Sequence, residues 1–233
     1  MIKAKIGTGA AVMIGLIFLG LMLPQAVKTY RNFDRCVSVK GLCEREVKAD
    51  KVIWPIQFKA MGNDLSSVYT DLENKHRLIL SFLEKGGINA EEIALSAPVL
   101  SDKLAQDYGS STRVFRYVAS AVVTVCSRDV DKALSLMQDM SLLIKNGIAP
   151  ENEWGNKPEF IYEGLNGIKP EMIEEATKNA REAAMKFAKD SDSRLGKIKQ
   201  ATQGSFSIEN RDSNTPQIKK VRVVTGVTYY LSK

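Results

Sequence analysis

Residues 6–23 form one uncharged, almost wholly apolar run, with Lys3 and Lys5 before it and Pro24 after it. As a helix rising 1.5 Å per residue it would extend about 27 Å, just enough for a bilayer's hydrocarbon core. Gly7, Gly9, Gly15 and Gly20 would weaken a helix packed in an aqueous core, whereas membrane helices carry glycine readily. The run therefore predicts an N-terminal transmembrane helix. After Tyr30 the chain reads as an ordinary soluble domain, so residues 1–30 form a membrane segment and residues 31–233 a folded body.

A basic start and an apolar run also open a secretory signal peptide. This run is longer than a usual signal core, and the best cleavage site, Pro24-Gln25-Ala26, puts proline where a small residue is wanted. An uncleaved anchor is favoured, with signal cleavage as the alternative. Charge does not orient it, because Lys3 and Lys5 are balanced by Lys28, Arg31 and Arg35 across the run. A short tail is easier to retain than a folded domain, which places the N-terminus inside and the domain outside.

The remainder is ample for a core, as one domain or two small halves. The net charge of +6 is spread among acidic residues, and the only basic cluster, Lys219, Lys220 and Arg222, lies within a strand pattern. Nucleic-acid binding wants a continuous basic face with interleaved aromatics, so that class is set aside. Mild attraction to an anionic membrane surface fits better. Cys36, Cys43 and Cys126 show no Cys-x-x-Cys spacing and no histidine near them in sequence, which gives no support for a zinc or thioredoxin-like site. An oxidising compartment allows one disulfide, with Cys43 and Cys126 as candidates. The favoured alternative is three small, buried apolar residues in strands.

Periodicity predicts the elements. Residues 35–47 and 51–60 alternate as two strands around the turn Ala49-Asp50, with Pro55 marking an edge or bulge in the second. Asp64 caps a helix whose stripe is Leu65, Val68, Leu72, Ile79 and Leu83, and Gly86-Gly87 stops it. Residues 92–102 and 114–126 read as strands; Phe115, Tyr117, Ala119, Ala121, Val123 and Val125 share one face of the second. Asp129 caps a second helix with the stripe Val130, Ala133, Leu134, Met137, Ser141 and Ile144, ended by Asn146-Gly147. A short strand, 160–165, follows. A third helix has Pro170 in its first turn, Glu171, Glu174 and Glu175 at its start, and Lys186 and Lys189 at its end, matching the helix dipole. Its inner face is Ile173, Ala176, Ala180, Ala183, Ala184 and Phe187, and the alanines imply close approach to a sheet. Residues 197–209 and 218–231 form a hairpin. The order strand, helix, strand, connection, strand thus occurs twice, and the fold class is α+β: two related halves, about 35–147 and 159–232, each with a helix on one face of a mostly antiparallel sheet.

The segment Gly164-Leu165-Asn166-Gly167-Ile168-Lys169-Pro170-Glu171-Met172-Ile173, followed by residues 176–184, resembles the SIMPL domain family. Arg194-Leu195-Gly196, Gln203-Gly204, Phe206-Ser207-Ile208 and residues 219–224 continue the resemblance, and residues 37–50 resemble the family's opening hairpin. It covers residues 34–231, strongest in the final part of the chain. The resemblance implies a bacterial cell-envelope protein, held on the inner membrane as a single-pass protein with its domain in the periplasm, or released there after cleavage. It implies homo-oligomers and a loose tie to oxidative-stress defence. No catalytic residues are established for the family, so none carry over.

The candidate sites are weak. His76 is the only histidine and sits beside the first helix's stripe without metal-binding partners, so a structural role is favoured. Glu171, Glu174 and Glu175 serve the helix dipole more simply than catalysis. Ser110-Ser111-Thr112 and Ser205 lack a nucleophile-elbow context. Gly164-Leu165-Asn166-Gly167 precedes a helix, as phosphate loops do, but lacks their glycine spacing and lysine; a positive φ in the Asn166-Gly167 turn explains it as well. Trp154, in the irregular stretch 149–158, is read as a plug between the halves or as an aromatic anchor for a partner. One ring of Tyr229-Tyr230 should point inward and one outward. No cofactor is expected. The sequence points to a non-enzymatic, self-associating envelope scaffold. The alternative is a small-molecule or anion-binding module with its site between the halves, near Trp154, Asn166 and Gly167.

Overall fold

The computed structural model describes Met13 and residues 15–23, 35–105, 115–150 and 156–232. Residues 15–23 are helical, and their large apolar side chains, Leu16 and Phe18 among them, are exposed. Among the described residues no helix is long and apolar enough to cross a membrane. The rest of the run 6–23 lies outside them, so the transmembrane helix expected from the sequence is not part of the described fold.

The domain is α+β, with antiparallel pairing throughout the registers described. Its strands are β1 (Cys36–Lys48), β2 (Lys51–Gly62), β3 (Ile93–Leu95), β4 (Val99–Asp102), β5 (Tyr117–Ser127), β6 (Glu159–Ile161), β7 (Arg194–Gln203), β8 (Ser207–Asn210) and β9 (Ile218–Ser232). Its helices are α1 (Leu65–Lys85), α2 (Val130–Gln138), α3 (Ser141–Lys145) and α4 (Leu165–Asp190). One sheet has the order β3-β5-β2-β6, with β4 also on β5; the other has the order β1-β9-β7, with β8 also on β9.

Two compact units result. Of the described residues, the first holds those within 1–45, 168–207 and 221–233, and the second those within 46–167 and 208–220. They are not the contiguous halves read from the sequence, and strand exchange is the reason. The last strand of the second half, β9, takes β1 as its neighbour, while β6 pairs with β2 through Lys51↔Ile161, Val52↔Phe160 and Ile53↔Glu159. The repeated order survives in the pairing: β5 lies between β2 and β3, as β9 lies between β1 and β7.

The second unit is built on β2. Its residues alternate in burial, with Val52, Trp54, Ile56, Phe58 and Ala60 on the inward face. Pro55 pairs opposite Thr124 of β5, beyond the three-residue reach of β6, where among the described residues β2 has a strand neighbour on one side only. The inward face meets Val68, Leu72, Ile79 and Leu83 of α1 and Ala133 and Leu136 of α2 in one core cluster. The Asp64 carboxylate accepts the Ser67 N–H at 2.8 Å and starts α1; Gly87, at φ 81°, follows its end. Leu65, expected inside, is 46% exposed in the first turn.

Three expected elements break. Residues 92–102 divide into β3 and β4 around Pro98, which has no N–H for a ladder. The second helix stops at Asp139, so α3 restarts in a new phase that buries Leu143 and leaves Ile144 59% exposed. The strand expected at 160–165 ends at Ile161, and β5 begins at Tyr117, leaving Phe115 outside it.

The first unit packs α4 on the sheet of β1, β9 and β7. Its buried stripe is Met172, Ala176, Ala180, Ala184 and Ala188, spaced strictly by four. Phe187, expected inward, is 59% exposed, and Ile173 is half-buried. The alanines permit very close approach. A Cβ added at Gly41 of β1 would lie 1.8 Å from the Ala176 carbonyl oxygen and 2.5 Å from the Ala180 nitrogen. Asn179 donates its side-chain amide to the Leu42 carbonyl at 2.8 Å, fixing the same contact.

Candidate functional site

The residues singled out by sequence do not converge. Trp154 lies outside the described residues. Asn166 and Gly167 are exposed within the first turn of α4, and Gly167 does not have the positive φ expected of a turn. A Cβ at Gly167 would meet nothing within 4 Å, so no wall closes on it. The helix begins five residues before Pro170, which therefore lies inside it rather than at its first position.

All three cysteines are free thiols, Cys43 and Cys126 included. Two of them are not the buried residues expected: Cys36 and Cys126 are exposed, because each points away from the helix-covered face of its strand. Cys43 is buried in the first unit, and burial pushes its thiol up to about 11, with the neighbouring Glu175 carboxylate adding to the rise. A thiol so protonated is a poor nucleophile and a poor metal ligand. Glu171, Glu174 and Glu175 lie beyond the first turn of α4, which begins at Leu165 and holds no acidic residue, so they do not cap the helix dipole as expected; Arg45 instead reaches Glu171 at 2.8 Å and Glu175 at 3.8 Å. The basic cluster disperses too: Lys219 is buried with its ammonium on Asn210, and Arg222 lies 3.5 Å from Glu44. Tyr229 is buried and Tyr230 is partly exposed, as alternation requires. Among the described residues no group of three or more His, Cys, Asp or Glu side chains could hold a metal ion.

What sequence reasoning passed over is a cleft of about 250 Å³ in the second unit. Tyr69, Leu72, Glu73 and His76 line one wall, spaced i, i+3, i+4 and i+7 along α1. Leu95, Ser96 and Pro98, between and beside β3 and β4, line another. Phe58 and residues 121–123 complete it from β2 and β5. The His76 imidazole stacks on the Phe58 ring, with centroids 6.4 Å apart and planes 18° from parallel. The His76 Nε2 atom is buried and has no hydrogen-bond partner. Ser96 caps the ladder end reciprocally: its N–H donates to the Val122 carbonyl at 3.0 Å, and its hydroxyl oxygen accepts the Val122 N–H at 2.9 Å. The signal was the i, i+7 relation of Tyr69 and His76; what hid it was the break at Pro98, which brings Leu95 and Ser96 over them.

The SIMPL family model, described as a protein of unknown function (DUF541), matches residues 37–228. The chain belongs to the SIMPL family. The match takes in both compact units, from β1 to the later part of β9. No curated protein matches the chain. The cleft and the Gly41–alanine contact are thus features within a SIMPL domain whose chemistry the family description leaves open.

Proposed function

We propose that this SIMPL protein is a non-enzymatic component of the bacterial envelope that serves by self-association. Its apolar run is held in the inner membrane and its domain faces the periplasm, with a role tied to stress defence. The localisation rests on the uncharged run 6–23 and its flanks; the absence of a catalytic role rests on the lack of a catalytic constellation in the sequence. The observation that supports self-association is β7. Every one of its ten residues except Leu195 is exposed, and among the described residues its only neighbour is β9. Ile198, in the middle, is 51% exposed. Register shifts on both sides of Ile198, and the flanking Lys197 and Lys199, blunt indiscriminate edge pairing while leaving room for a specific partner. A second copy of the chain is the occupant this reading assigns.

Sedimentation of the full-length chain in a mild detergent tests it. A multimer is expected, with Ile198→Asp shifting it toward single copies. Wild-type protein remaining a single copy at tens of micromolar would refute the proposal. Digestion of the domain by protease added to intact spheroplasts is expected; protection until lysis would refute the localisation.

A second reading, a binding module, is favoured by the orphaned His76 Nε2. Its site is the cleft of the second unit, in place of the Asn166–Gly167 turn.

A further inference from the structure

We infer that the His76 cleft binds a small neutral aromatic molecule carrying one hydrogen-bonding group, of the phenol class. This deepens the binding reading and is independent of self-association. A buried polar atom without a partner is uncommon in a folded protein and costs stability unless something meets it. The Nε2 of His76 is such an atom, and it belongs to a residue of the cleft wall. The partner it lacks is supplied from within the cleft.

The rest of the lining says what carries that partner. Leu72, Leu95, Pro98 and Val123 are apolar, so most of the occupant must be apolar. The Phe58 and His76 rings both line the cleft, which favours an aromatic occupant, since rings pack well offset-stacked or edge-on. Size sets the upper limit. A dry cavity of about 150 Å³ accommodates benzene; about 250 Å³ takes one ring with a small substituent and is filled by a fused pair of rings. Charge sets the sign. The acidic side chain beside His76 in this wall is Glu73, one helical turn away. It disfavours an anion, so a neutral hydroxyl or amine on the ring is preferred to a carboxylate or phosphate. The two walls also differ in attachment: α1 is anchored in the core through Leu72 and Ile79, whereas β3 and β4 are short strands paired, among the described residues, with β5 alone. Entry on the β3–β4 side therefore disturbs the fewest packed residues.

The competing explanation is an ordered water on Nε2, and the test separates the two. His76 is the only histidine in the chain, so selective labelling of its ring gives one resonance to follow in the full-length protein in lipid nanodiscs. Titration with phenol is expected to shift that resonance saturably, with half-saturation on the order of 1 mM, as suits a ligand of so few atoms. Toluene, the same shape without the hydroxyl, is expected to bind about tenfold more weakly or worse, because it leaves Nε2 unmet. In His76→Phe, which removes the nitrogen, the preference should reverse in favour of toluene, because phenol would then bury an unpaired hydroxyl, read by the shifts of labelled leucine and valine methyls. An unmoved His76 resonance at saturating phenol would overturn the inference. So would equal binding of phenol and toluene by the wild-type protein, the result expected if water already satisfies Nε2. Neither result bears on the sedimentation behaviour, so failure here leaves the self-association proposal standing.

Discussion

The two units solve the same problem with different materials. The second buries large side chains, including Trp54, Ile56, Phe58, Ile79, Leu83, Leu143 and Phe160, in one cluster between its sheet and its helices. The first buries mainly alanines and valines: Ala176, Ala180, Ala184 and Ala188 on α4, and Val221, Val223 and Val227 on β9, with Met172 and Tyr229 as its large residues. A fully buried Phe or Leu contributes about 1.5–3 kcal/mol, and an alanine far less. The second unit thus draws its stability from volume, while the first draws it from close backbone approach and leaves a whole strand, β7, uncovered. A unit with so thin a core gains most from a surface supplied by another copy, which is why the self-association proposal places the contact there.

The contrast has graded consequences. Phe58→Ala should carry the largest cost, about 3–5 kcal/mol, because it removes a ring 1% exposed at the centre of the second unit. Urea unfolding followed by tryptophan fluorescence in a Trp154→Phe background, which leaves Trp54 as the reporter, reads it, and a loss below about 1 kcal/mol would mean that the core is less tightly packed than its burial implies. Gly41→Ala comes next. The added methyl would overlap the Ala176 carbonyl at 1.8 Å, so β1 and α4 must part, at about 1–3 kcal/mol or more. Cys43, on the same strand and 2% exposed, reports it: iodoacetamide should modify Cys36 and Cys126 in the wild type and reach Cys43 only in the variant. Wild-type-like protection of Cys43 in Gly41→Ala would show that the contact is looser than its geometry.

Alkali should find the first unit before the second. The Cys43 thiol is held protonated to about 11, above the ordinary value of 9.0, chiefly by burial. Between those values the unfolded chain has ionised its thiol and the folded one has not, so stability is full below pH 9 and falls as pH rises toward 11. The unfolding midpoint of the first unit should drop over that window and flatten in Cys43→Ala. An unchanged slope in the variant would remove the thiol as its cause. The smallest effect is local. The Asp212 carboxylate accepts the N–H groups of Asn214 at 2.8 Å and Thr215 at 2.7 Å, together with the Thr215 hydroxyl and the Arg211 guanidinium. These bonds hold it well below the usual carboxylate range, so their contribution is present above the ordinary carboxylate value and is lost on acidification toward the lowered one. Asp212→Asn should speed amide exchange at Asn214 and Thr215 with little change in global stability; unaltered exchange would show that the carboxylate does not order this turn.

Much of this architecture was legible in the sequence because it is written in local signals. Alternation in β1, β2, β5 and β9, the Asp64 and Asp129 caps, and the glycines after α1 and α3 all act within a few residues. What was not legible depends on partners distant in the chain. The exchange of β1 and β6 between the sheets cannot be read from either strand, since both alternate or fail to alternate regardless of neighbour. The buried face of α4 lies one residue away, at both ends, from the one its apolar residues suggest: Ile173 and Phe187 look more apolar than Met172 and Ala188, but close approach to Gly41 selects the stripe of small residues. The cleft was hidden for the same reason. His76 has no neighbours in sequence that suggest a site, and its surroundings exist only once Pro98 has divided β3 from β4 and laid Leu95 and Ser96 across α1.

Amide hydrogen exchange across a dilution series of the full-length protein tests most directly whether the first unit is completed by another copy. Peptides covering residues 194–203 should exchange slowly in concentrated samples and fast in dilute ones, while peptides from α1 and β5 in the second unit exchange at one rate throughout. Exchange of β7 that is equally fast at every concentration would contradict the account.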